Sequence, residues 1–227
     1  MFRAITKLSN ISKNLSTKPA YFSYYSDQYV QPWNVTKRAY AELVDAIGSA
    51  HNCHMIGELL KENLMILTDY QLSYAINHIW NNNLELDEHF YGVILPIVKE
   101  YVKKFDRECN KSLYEITKYC GWMEVQDKGL WELLDKKLVD ERLVRYIPLE
   151  ELINVAHALA QNRSGSKQLF DTIEGQVIKH RLGLTPSMIH TATQAFQQYG
   201  EASPLVFKVL ENPVNVDIAS ESKKLNE

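Results

Sequence analysis

The stretch PLEELINVAHALAQNRSGSKQLFDTIEGQVIKHR at residues 148–181, followed by LTPSMIHTATQAFQQYGEASPLVFKVLEN at residues 184–212, decides the fold of this chain. Laid over one another from Ile147 and Leu184, the two segments match in their apolar positions, and two earlier segments from Leu67 and Glu108 join them at offsets of 41, 39 and 37 residues. Five residues after each start stand Leu72, Leu113, Leu152 and Ile189. Three further on come Ala75, Ile116, Val155 and Ala192, and four beyond those Ile79, Cys120, Leu159 and Phe196. That spacing is one buried helical stripe. A second stripe opens on Phe90, Trp131, Phe170 and Phe207 and continues at Val93, Leu134, Ile173 and Leu210.

Four helix-turn-helix units are therefore expected, with a less regular pair before them near 38–50 and 55–62. Almost no stretch alternates as a strand would, so the class is all-α. Thr68 and Gln71 have the spacing of a capping box, Pro148 stands where a first turn begins, and Thr185-Pro186 and Ser203-Pro204 read as cap followed by proline. Gly200 is placed to end a helix. A lone helical hairpin cannot bury both apolar faces, whereas stacked hairpins share a continuous core, so a 40-residue period predicts an α-solenoid over 36–213. The third and fourth units resemble the degenerate octotricopeptide and heptatricopeptide repeats of organellar proteins in the FAST-kinase-like family. That resemblance spans about residues 67–212 and implies an organellar location and helical stacking.

The ends differ from this body. Residues 1–26 carry Arg3, Lys7, Lys13 and Lys18 with no acid before Asp27, and are rich in Ser, Thr and Asn, the composition of a mitochondrial import signal. Residues 27–35 are expected to form an extended tail and 214–227 a polar one. Tyr21, Phe22, Tyr24, Tyr25, Tyr29 and Trp33 crowd into thirteen residues without helical or strand periodicity. Aromatic rings bury much area for few rotatable bonds, so these six are the expected partner-binding residues. The same tail wrapping back over its own repeats is the competing reading.

Little in the chain reads as chemistry. The nine glycines are scattered and form no phosphate-binding loop. His51-Asn52-Cys53-His54 gathers three donor side chains, but adjacent positions seldom converge on one ion, so no metal and no cofactor is expected. Cys53, Cys109 and Cys120 cannot all pair, and Cys120 falls in an apolar stripe, so neither a disulfide framework nor a nucleophile is expected. No run is long and apolar enough for a membrane span. The alternative use is RNA reading through a polar column ten residues after each start: Asn77, Lys118, His157 and Gln194. Against it, residues 27–227 hold 21 basic and 28 acidic side chains, a net charge of −7 that repels phosphate.

The expectation is thus a non-catalytic accessory subunit of a large mitochondrial assembly, a respiratory complex or the ATP synthase in preference to the mitochondrial ribosome. Its partners are protein subunits on the matrix side, with membrane association only through the assembly. An organellar RNA-binding protein is the alternative.

Overall fold

Thr68 opens a helix with both halves of a capping box: its hydroxyl accepts from the Gln71 N–H at 3.2 Å, and the Gln71 side chain accepts from the Thr68 N–H at 2.9 Å. Thr185, Ser166 and Ser203 cap three further helices through the first half of that contact alone, accepting from the N–H groups of Met188, Leu169 and Val206. The computed structural model describes residues 33–140 and 143–214. Among them are ten α-helices and no strand: α1 (Trp33–Gly48), α2 (Cys53–Glu62), α3 (Asp69–Asn81), α4 (Leu95–Lys104), α5 (Asn110–Trp122), α6 (Lys128–Asp140), α7 (Leu149–Gln161), α8 (Lys167–Lys179), α9 (Pro186–Tyr199) and α10 (Pro204–Glu211). None is long and apolar enough to cross a membrane.

The chain divides into two compact units, one ending at Ser112 and the other beginning at Leu113, within the first turn of α5. In the first unit α1 packs on α2 and α3. In the second, α7 packs on α9, while α8 packs on both α6 and α10. The second unit thus sets first helices of hairpins beside one another and second helices beside one another.

The buried positions follow the repeat closely. Leu72, Ala75 and Ile79, then Leu113, Ile116 and Cys120, then Leu152, Val155 and Leu159 are all buried, as are Ala192 and Phe196. Phe90, Trp131 and Phe170 are buried at the head of the second stripe, each fully buried large side chain contributing about 1.5–3 kcal/mol. Three expected core residues are only half-buried, and each has a local reason. Val93 lies in a π-helical turn, Phe90–Ile94, whose extra residue rotates Ile94 into the core instead. Pro96 explains the turn: it lacks an N–H, and its ring would press on the Gly92 carbonyl of a regular helix. Ile189 and Phe207 belong to the last hairpin among the described residues, where Met188, Leu205, Val206, Val209 and Leu210 carry the burial.

Other boundaries move slightly. The first helix begins at Trp33 rather than near 38, so residues 33–35 are its first turn and not extended tail. Pro148 is the residue before α7, with φ −54° and ψ 143°, one place earlier than expected. Pro186 and Pro204 do open their helices, and Gly200 ends α9 with φ 79°.

The connections inside the hairpins repeat as well. Asn83 (φ 49°), Glu124 (φ 53°), Arg163 (φ 49°) and Gly200 all stand sixteen residues after their repeat start, and all take the left-handed conformation. In three of them the next N–H reaches back to the last stripe residue: Leu84 to the Ile79 carbonyl, Val125 to Cys120 and Ser164 to Leu159, at 3.0, 3.0 and 2.9 Å. This bond closes a Schellman-type end and satisfies a carbonyl that the helix leaves open. One backbone solution thus ends three first helices, although only Asn83 and Gly200 announce the left-handed place by residue type.

Candidate interaction surface

The polar column does not present four equivalent side chains. In the first unit Asn77 is half-buried and accepts from the Asn81 amide. Around it the rings of Tyr40, Tyr70, Tyr74 and His78 follow one another at centroid separations of 6.1, 6.5 and 6.4 Å, with interplanar angles of 30°, 13° and 28°. The i, i+4 spacing of Tyr70, Tyr74 and His78 puts them on one face of α3. His78 is fixed by its partners: Nε2 lies 2.9 Å from the Ala50 carbonyl and so donates, while Nδ1 accepts from the Asn82 amide at 3.0 Å.

In the second unit Lys118 is buried and its Nζ lies 2.8 Å from the Glu151 carboxylate, tying α5 to α7. The same ammonium sits over the rings of Tyr119 and Trp122, 4.9 and 5.5 Å from their centroids. Burial, reinforced by Glu151 and Glu115, raises the Tyr114 hydroxyl above its ordinary range. His157 is half-buried, and burial first, then the neighbouring His190, lowers its pKa. Gln194 is exposed. The column therefore mixes an ion-paired lysine with half-buried and exposed amides and imidazole, instead of repeating one reading geometry.

The His51-Asn52-Cys53-His54 run is spent on ending and packing helices. Asn52 caps α2 through the Met55 N–H, the Cys53 thiol donates to the Glu85 carbonyl at 3.1 Å, and His54 meets the edge of His89 at 4.3 Å. Among the described residues no three His, Cys, Asp or Glu side chains converge as a metal site would need. The thiols are poor nucleophiles. Burial, with Asp87 and Glu85 nearby, pushes Cys53 up to about 11; burial pushes Cys109 to about 11 and Cys120 to about 12.

A different set of residues emerges where the second helices meet. Asp135 of α6 accepts from the backbone N–H of Ser166 at 2.7 Å, and Glu174 of α8 accepts from that of Ser203 at 3.0 Å, with the Ser203 hydroxyl donating to the same carboxylate. Both acids stand twenty-seven residues after their repeat start, and both serines are the caps of the next hairpin's second helix. Each carboxylate faces the positive end of the neighbouring helix, where unpaired N–H groups point outward. The charge-assisted contact fixes the register of successive hairpins. Beside it, Phe170 is covered by the ring of Tyr199 from the following hairpin, 3.8 Å away and 7° from parallel. Aligning the segments shows an acid at this position in the last three, Asp135, Glu174 and Glu211, but an exposed-looking acid on a helix carries no sign of its partner.

Tyr21, Phe22, Tyr24, Tyr25 and Tyr29 lie outside the described residues, and Trp33 is the first residue of α1. No protein-family model matches the chain, and no curated protein matches it in sequence.

Proposed function

We propose that the chain is a helical-repeat solenoid serving as a non-catalytic accessory subunit of a large mitochondrial assembly, a respiratory complex or the ATP synthase. The observation that carries this reading is the repeated joint between hairpins: Asp135 with Ser166, and Glu174 with Ser203, one register reused. Such joints make a structure that extends by adding units, and extended helical arrays offer surface for partners in place of a cleft for chemistry. The basic, acid-free residues 1–26 support the organelle. The Lys118–Glu151 pair weighs against RNA reading, since the column's one obligate cation is already neutralised within the fold.

Expression of the full chain with a C-terminal tag in its own cells, followed by organelle fractionation, tests this. The tagged protein is expected in the mitochondrial fraction, protected from added protease until the inner membrane is opened. Recovery in the cytosolic fraction overturns the location and the assembly with it.

A further inference from the structure

We propose that the end of the second unit formed by Phe207, Glu211 and Val214 docks a helical hairpin of a partner subunit, whose second helix opens on a serine or threonine cap. The inference rests on the accessory-subunit reading and names the surface and the chemistry of the partner. Three positions define each joint between hairpins of the second unit, and at its two internal joints all three are occupied. Trp131, Asp135 and Leu138 make up one set, Phe170, Glu174 and Val177 the next, at twenty-three, twenty-seven and thirty residues from each start. Both aromatics and both aliphatics are buried, Leu138 and Val177 completely. Both acids hold the cap N–H of the following helix.

Phe207, Glu211 and Val214 are the third set by repeat position, with Val214 in the turn that follows α10, and here the same residue types are uncovered. Phe207 is half-buried where Phe170 lies under Tyr199. Glu211 is exposed, and among the described residues its carboxylate has no hydrogen bond or ion pair. Val214 is 72% exposed. The surface continues the interface between α6, α8 and α10, so the occupant is defined by the two joints already filled. It offers a ring to cover Phe207, an apolar side chain for Val214, and a helix N-terminus whose partial positive charge and free N–H groups meet Glu211. The final acid has the repeat position of its predecessors, at the last residue of α10, without their partner.

The test places a photoreactive benzophenone side chain at position 214 of the full-length tagged chain in cells, with the cross-linked residue mapped by mass spectrometry and co-migration with the assembly read from the same extract. The expected cross-link falls within the first two turns of a partner helix capped by Ser or Thr. Glu211→Ala should lower its yield at least fivefold, and Glu211→Asp should restore it, since Asp135 makes the same contact with the shorter side chain. A cross-link to this chain's own residues, to a partner segment other than a helix opening, or an equal yield in Glu211→Ala overturns the proposal. If the chain co-migrates with the assembly and no cross-link forms, the docking end is wrong while the accessory-subunit reading stands; if it does not co-migrate, that reading fails first.

Discussion

Gly121 of α5 lies so close to Ala158 of α7 that a Cβ at position 121 would stand 2.8 Å from the Ala158 Cα and nearer still to its Cβ. The Asn162 amide donates to the Gly121 carbonyl at 3.2 Å across the same contact. Absence of a side chain at 121 is what lets the two first helices touch. Gly121→Ala should therefore lower stability by about 1–3 kcal/mol, the range for overpacking a tight site, with Ala158→Gly in the same chain recovering part of the loss. Urea denaturation of the two variants beside the unaltered protein measures this; a Gly121→Ala midpoint equal to that of the unaltered protein would show that the helices are not in contact.

Trp131 joins packing to a hydrogen bond, being 5% exposed with Nε1 donating to the Val125 carbonyl at 2.9 Å. Trp131→Ala should cost about 3–5 kcal/mol. Trp131→Phe keeps most of the ring area and leaves the carbonyl unpaired, so about 1–3 kcal/mol is expected. Thermal unfolding that ranks the two variants the other way would place the register of the second stripe in error.

The left-handed residues supply a prediction of opposite sign at equivalent places. Glu124 takes φ 53° with a side chain that crowds its own carbonyl, whereas Gly200 takes φ 79° without one. Glu124→Gly should raise the unfolding midpoint by a gain of up to about 1 kcal/mol, and Gly200→Ala should lower it by about 1–2 kcal/mol. A lower midpoint for Glu124→Gly together with an unchanged or higher one for Gly200→Ala would mean that the shared turn conformation is not populated.

How far this architecture was legible in the sequence follows from what kind of force each feature obeys. Stripe residues such as Leu72, Cys120 and Phe170 announce themselves, because burial selects apolar residues at helical spacing. Capping by Thr68 and Thr185 is visible for the same reason, since few residue types perform it. The left-handed Glu124 and Arg163 are invisible, as the helix end imposes their conformation against residue preference. Val93 is misplaced because Pro96 widens the turn before it, a register change that periodicity alone does not report. Asp135 and Glu174 look like solvated acids until the caps of Ser166 and Ser203 are seen against them. The aromatic residues from Tyr21 to Tyr29 stand out by composition, and they lie outside the described residues.

His157 sets an acid-side dependence. Burial, then His190, holds its folded pKa below the unfolded value of about 6.5, so the folded state resists taking up the proton. The stability is fully present above the unfolded pKa and is lost as pH falls through the lower folded value. His157→Gln should flatten the decline in urea midpoint between pH 7 and pH 5; an unchanged slope would assign the decline to other groups.

Thiol chemistry gives a check on the body of the protein that needs no substitution. With Cys120 fully buried and pushed to about 12, an alkylating reagent at pH 8 should leave it unmodified in the folded protein and label it in urea. Rapid labelling of Cys120 in native buffer would mean that the stripe between Ile116 and Cys120 is open to solvent.

The claim that the chain works as a subunit of a large assembly is tested most directly by separating a gently solubilised mitochondrial extract by size, with and without ribonuclease, and following the chain across the fractions. The account predicts that it travels with a particle many times its own mass and that ribonuclease does not move it. Migration as a lone chain, or a shift to small size after ribonuclease, would contradict it.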